Sequence, residues 1–190
     1  MEQRVLGSTG VKVSRLGLGL AQIGSIGFEN ESRVSDLINS ALDSGISFLD
    51  TAASYGNSEE FIGRTVSHRR DEYFLATKCG HWAGKVPWNA ETVRSHIDRS
   101  LKRLQTHQLD LVQIHSCGKD VLEQEEVIRT LMDAKDTGKT RFLGYSGDNK
   151  EAKWAINSGL FDSIQTTFNL VDQAARTQLF PDAQKKGIGI

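Results

Sequence analysis

The sequence is short of the features that mark several large classes of protein. Its two cysteines, Cys79 and Cys117, are too few for a disulfide framework and suit a reducing compartment. Neither sign of charge is in excess: 23 Lys and Arg stand against 24 Asp and Glu, a net charge of -1. The basic surplus that a phosphate backbone or an anionic membrane selects is missing, so no nucleic acid and no membrane are expected as partners. No run approaches the ~18–20 apolar residues that span a bilayer, and the N-terminal MEQRVLGSTG lacks the apolar core of a signal peptide. A cytoplasmic location is expected. No low-complexity tract and no linker interrupts the chain. With 190 residues, 38% hydrophobic and 25% charged, the composition is that of an ordinary globular protein with one core, and residues 1–190 are read as a single domain.

What is present is alternation. Short β-prone runs are separated by segments with helical periodicity, the pattern of repeated βα units. Strands are expected at residues 15–20, 46–50, 73–78, 109–115, 140–146 and 163–167, with a seventh starting at 187–190. Four helices are expected between them. One carries Val34, Leu37, Ile38, Ala41 and Leu42 on one face. The next places Val93, Ile97, Leu101 and Leu104 at spacings of three and four behind a cap at Asn89. A third repeats the stripe with Val127, Leu131 and Ala134, and Gly138 supplies its left-handed end. In the fourth, Asp148 and Glu151 have the spacing of a capping box, and Gly159 closes the helix. Residues 1–14 read as a hairpin around the turn GSTG, placed to plug the bottom of a barrel built by residues 15–190. The expected fold class is α/β with a parallel sheet.

In a parallel barrel the C-terminal strand ends share one face, and Asp50, Lys78, His115, Ser146 and Gln165 all fall at such ends. A tyrosine is a poor proton donor at neutral pH, and an adjacent ammonium favours its phenolate and lowers its pKa. Lys78 is the candidate ammonium for Tyr55, Asp50 the counter-charge that a buried lysine requires, and His115 a hydrogen-bond donor to a carbonyl oxygen. The set suits protonation of an alkoxide as it forms.

The fragments LDTAASYGNSEEFIG, FLATKCG, LDLVQIHS, GYSG and IQTTFNL, in this order on successive strands after a hairpin, resemble the aldo/keto reductase family along nearly the whole chain. The resemblance implies a (β/α)8 TIM barrel, incomplete here, and an oxidoreductase that moves a hydride between NADP(H) and an aldehyde or ketone, with NAD(H) as second choice. By position, Tyr55 resembles the general acid, Asp50 and Lys78 its pKa-setting pair, and His115 the residue that orients the carbonyl. Ser146 and Gln165 resemble the residues holding the nicotinamide carboxamide, with Asn169 in the adjoining FNL. Gly147 stands where many members have an asparagine. GLGLAQIG, with Gly19, Ala21 and Gln22, resembles the loop beside the nicotinamide. A complete barrel takes about 250 residues, and the segment for the 2'-phosphate and adenine follows the seventh strand. A truncated chain is therefore expected, binding NADPH weakly and prone to self-association through its open barrel edges. The competing expectation is a non-catalytic protein on the same scaffold, a nucleotide-binding or regulatory module.

Other signals carry blander readings. Cys79, His81, His115 and Cys117 offer the inventory of a zinc site, but their spacing is unusual for one and Lys78 brings positive charge close; no metal is expected. The two thiols are a candidate redox pair. Phe28, Trp82 and Trp88 either wall a substrate pocket or cover the barrel rim, while Trp154 packs on a helix face. The glycines of GLGLAQIG lack the βαβ setting of a dinucleotide fingerprint.

Overall fold

In the computed structural model, which describes residues 1–80 and 87–190, the alternation of short apolar runs and amphipathic segments folds as βα units. His81 and Trp82 lie outside the described residues. An antiparallel hairpin, β1 (Gln3–Val5) and β2 (Lys12–Ser14), precedes a six-stranded parallel sheet. That sheet runs in sequence order: β3 (Leu18–Gly19), β4 (Phe48–Asp50), β5 (Phe74–Cys79), β6 (Leu109–His115), β7 (Thr140–Ser146) and β8 (Ser163–Gln165). The strands are linked through α1 (Glu31–Asp43), α2 (Ser58–Val66), α3 (Ala90–Arg103), the short α4 (Lys119–Leu122) with α5 (Glu125–Asp136), and α6 (Asn149–Ser158). Two short helices, α7 (Ala174–Gln178) and α8 (Phe180–Lys185), follow β8. The result is an incomplete β/α barrel.

Alternate residues of a strand face opposite ways, and the sheet uses both sets. Leu49, Leu75, Val112 and Ile114 face the helices, where they meet Ile38, Phe61, Val93, Ile97 and Leu131. Each such fully buried side chain contributes about 1.5–3 kcal/mol. Phe48, Phe74, Ala76, Leu111 and Phe142 face inward and pack with Leu6 and Val13 of the hairpin. The hairpin therefore plugs the lower end, as expected. Higher up, the inward positions turn polar. Lys78 pairs in register with Gln113, His115 with Ser146, and Ser146 with Gln165.

Two aspartates fasten the lower rim. The Oδ2 of Asp110 accepts from the Leu75 N–H (2.8 Å) and from Arg70 (2.6 Å), and its Oδ1 accepts from Arg141 (2.6 Å). Asp162 does the same for the Leu143 N–H (2.8 Å) and Lys135 (2.9 Å).

Several local expectations change. The strand expected at 15–20 shortens to Leu18–Gly19, because the Arg15 N–H bonds back to Glu2 O and Ser14 Oγ donates to Leu16 O. The next begins at Phe48, since the Ile46 N–H closes α1 by bonding Ala41 O. The expected seventh strand is a single bridge, Gly189 to Ser163. Helix α2 was not among the four expected. Leu37 is 50% exposed and lies off the buried stripe. Asn89 does cap α3, its Oδ1 accepting from the Thr92 N–H at 2.8 Å, whereas Asp148 makes no side-chain cap. Its carboxylate accepts instead from the Thr167 N–H (2.7 Å) and the hydroxyls of Thr166 and Thr167. That bond ends β8 at Gln165, two residues early.

Candidate active site

Tyr55 lies in the turn between β4 and α2, and the turn is tied down by backbone on both sides. The Thr51 and Ala53 N–H groups continue the β4–β5 ladder by donating to Ala76 O and Lys78 O, each at 3.0 Å. Ser58 Oγ donates to Leu20 O and meets Thr51 Oγ1, each at 2.8 Å. Two glycines then allow backbone to touch backbone. A Cβ on Gly24 would overlap the Tyr55 carbonyl, and one on Gly56 would overlap the Gly24 carbonyl. Gly56 also has φ +49°, in the region glycine tolerates best.

Beneath this turn sits a buried ion pair. Lys78, 2% exposed, donates from Nζ to Asp50 Oδ2 at 2.6 Å and to Thr51 O at 3.0 Å. Asp50 also accepts from Gln165 Nε2 at 3.2 Å and Gln113 Nε2 at 3.5 Å, and Gln113 Nε2 reaches Gln165 Oε1 at 3.3 Å. Gln113 is absent from the expected site. The Lys78 ammonium lies 5.1 Å from the centroid of the Tyr55 ring, within cation–π range. His115 stands edge-on to that ring at 5.6 Å, with its Nδ1 3.4 Å from Ser54 Oγ. The four residues expected to gather therefore do so.

Their electrostatics differ from expectation in one respect. Burial lowers the Lys78 pKa, opposed by Asp50. Burial raises that of Tyr55, and the Asp50 charge raises it further. Lowering by Lys78 was expected. Burial first, and then the Asp50 charge, set the direction upward instead.

The other expected residues divide into two groups. Gly19 is level with Asp50 in the sheet and has open space where a Cβ would stand, while Ala21 and Gln22 are exposed just beyond it. Ser146 and Gln165 flank the pair from the other side, with the Gly147 N–H bonded to Gln165 O at 2.9 Å. Asn169 is not brought in. It is exposed, and its Oδ1 closes its own turn by accepting from the N–H groups of Val171 (2.8 Å) and Asp172 (2.9 Å). A cavity of about 390 Å³ reaches Asp50, Gln113 and Gln165 from below, between the hairpin and the inner face of the sheet. Phe28 packs on Phe61 of α2, 4.9 Å between centroids, and Trp154 packs against the core as expected.

Cys79 and Cys117 are buried free thiols whose pKa values burial pushes up from 9.0 to about 12. Among the described residues no group of three or more His, Cys, Asp and Glu is placed to hold a metal ion. A raised thiol pKa means that the folded chain holds protons which the unfolded chain releases above pH ~9. Stability from this source is complete below pH ~9 and is lost as pH rises towards ~12. Thermal midpoints followed from pH 8 to 10 are therefore expected to fall more steeply for the wild type than for Cys79→Ala/Cys117→Ala. Parallel curves would show that the thiols do not set the alkaline limit.

A family model described as the aldo/keto reductase family matches residues 15–190. L-galactose dehydrogenase of Arabidopsis thaliana is 34% identical over 203 residues, covering 100% of this chain and 64% of that protein. Aldo-keto reductase YhdN of Bacillus subtilis is 32% identical over 199 residues, covering 99% of this chain and 60% of its own length. Among solved structures, the holo form of aldo-keto reductase AKR11C1 from Bacillus halodurans superposes with a TM-score of 0.87 at 28% identity, covering 99% of this chain and 64% of that one. The chain thus spans 60–64% of the length of these curated relatives. With residues 15–190 under the family model and identity above 30% across the whole chain, this polypeptide belongs to the aldo/keto reductase family.

Proposed function

We propose that this chain carries the proton-transfer centre of a nicotinamide-dependent oxidoreductase that interconverts an aldehyde or ketone with its alcohol, with NADP(H) as cofactor and NAD(H) as second choice. The observation that carries this reading is the Lys78–Asp50 pair buried under the face of Tyr55, with His115 edge-on to the same ring.

Tyr55 acts as proton donor in the direction of reduction. Its raised pKa keeps the phenol protonated at physiological pH, so the proton is in place when negative charge develops on a carbonyl oxygen. The ammonium below the ring compensates the phenolate left behind, and Asp50 holds that ammonium against desolvation. His115 supports the same oxygen from the side and orients it. Protonation by a positioned group of this kind contributes about 10²–10⁴-fold.

The residues around the pair fit a nicotinamide. Gly19 leaves an open ledge beside Asp50, and the Ser146 hydroxyl and Gln165 carboxamide supply the donors and acceptors that a primary amide needs. Gln165 now spends its N–H on Asp50, so holding a carboxamide requires it to turn outward. Ala21, Gln22 and Gly147 border the same space. Asn169 joins them only if its turn opens. The cofactor, when bound, supplies the hydride.

L-galactose dehydrogenase is a sugar-oxidising relative by name, so hexoses belong in the substrate panel beside simple aliphatic and aromatic aldehydes. Loss of NADPH absorbance is expected with at least one aldehyde class, faster than with NADH. A folded chain that turns over no member of the panel with either cofactor, and quenches neither on titration, overturns the reading.

A further inference from the structure

Behind the strand tips, on the side of the sheet away from the barrel interior, α2 and α3 bury charge that the proposed chemistry does not use. Glu59 is 0% exposed. Its Oε1 accepts from Thr77 Oγ1 at 2.7 Å, and its Oε2 lies 3.7 Å from Arg103 Nη1. The same Nη1 donates to Ala53 O at 3.4 Å. Ala53 is two residues before Tyr55, and its N–H donates to Lys78 O at 3.0 Å. Thr77 is the residue before Lys78 in β5. The contacts therefore close a ring: from Ala53 O through Arg103, Glu59 and Thr77 along β5 to Lys78 O, and back to the Ala53 N–H.

The helix geometry serves this ring. Gly63, one turn after Glu59 on α2, meets the end of α3 so closely that a Cβ there would overlap Arg103 O. No larger residue would let Glu59 and Arg103 approach. Two turns earlier on the same face of α3, the Nδ1 of His96, 3% exposed, accepts the Gly80 N–H at 3.1 Å, which fixes β5 just past Lys78. Burial raises the Glu59 pKa, with Ser100, Thr77, Arg103 and Arg99 opposing, so the carboxylate sits there at an energetic cost. Glu59 is buried while the Arg103 side chain is 30% exposed, and such a pair adds little to stability, which points to geometry as its purpose here.

We propose that the Glu59–Arg103 pair is a positioning device that holds the Tyr55 turn against the Lys78 end of β5. The inference rests on the proposed role of Tyr55, and its test has one arm independent of turnover. In Arg103→Met and in the isosteric Glu59→Gln, the Ala53 and Tyr55 amides are expected to exchange with deuterium roughly tenfold faster or more, with Leu75 at the lower rim unchanged. Asp110→Asn, which weakens the far end of the sheet, is expected to reverse that pattern. In aldehyde reduction, kcat is expected to fall about tenfold or more with the NADPH KM unchanged, since small misplacements of a reacting group are costly. Arg103→Lys, which keeps the cation, is expected to recover most of the rate. If Arg103→Met does not fold, Glu59→Gln and Arg103→Lys carry the test. Wild-type exchange at Ala53 and Tyr55 in every folded variant overturns the proposal. Wild-type protein that neither turns over the panel nor quenches either cofactor overturns the reductase reading alone, and the exchange arm still decides the positioning.

Discussion

Tyr55→Phe is expected to lower aldehyde reduction by roughly 10²–10⁴-fold, the usual contribution of a positioned proton donor, while the thermal midpoint barely moves. The ring makes the structural contacts. Its face lies over Lys78 and its plane meets His115 edge-on, and phenylalanine keeps both. Only the oxygen is lost. Cofactor and substrate KM should therefore hold while kcat collapses, the signature of an interaction made in the transition state alone. In the wild-type protein the Tyr55 phenol should also titrate above its ordinary range, because burial and Asp50 both raise its pKa. Steady-state rates of the two proteins across neutral and mildly alkaline pH settle the matter. Equal turnover would remove Tyr55 from the chemistry.

Lys78→Met is expected to abolish turnover and to destabilise the fold as well, by on the order of 3–5 kcal/mol, the usual cost of breaking a buried pair by removing one partner. Asp50 then faces the barrel interior with two amide donors and no cation, and Thr51 O loses its donor. The pH dependence is specific. Burial lowers the wild-type Lys78 pKa below 10.5, so in the interval beneath 10.5 the unfolded chain binds more protons than the folded one. Stability from this group therefore rises with pH across that interval, and Lys78→Met lacks the slope. Denaturant midpoints at neutral pH and near pH 10 measure both effects. A variant as stable as wild type would mean that the ammonium is better hydrated than its 2% exposure implies.

The strands that carry Asp50, Lys78 and His115 are legible in the sequence because apolar runs end on polar residues. The two faces of those strands are equally legible in principle. Gln113 shares the inward parity of Leu111 and His115, and a glutamine between Val112 and Ile114 signals a polar layer. It went unassigned because one polar residue within an apolar strand has several uses. Helix α2 escaped for another reason: the glutamates of its first turn and the Phe61, Ile62 and Val66 stripe are present, but Gly63 interrupts them. That glycine is explained only by the helix packed against it. The capping box expected at Asp148 does not form, because its carboxylate is taken by Thr166 and Thr167, which nothing local to α6 announces. The direction of the Tyr55 pKa is hidden similarly, because it depends on how far the fold buries the phenol and how near it brings Asp50.

The hairpin described as a plug also bears on how the chain folds. Leu6 and Val13 pack against Phe74, Leu111 and Phe142, and the Ser8 N–H bonds to Gly187 O at 2.6 Å, so its partners lie from the middle to the far end of the sequence. Contacts of such separation close large loops late, and chains dominated by them fold slowly. Until they form, the inward phenylalanines are exposed to water. Refolding yield at high concentration should therefore depend on how quickly this short N-terminal segment finds its seat.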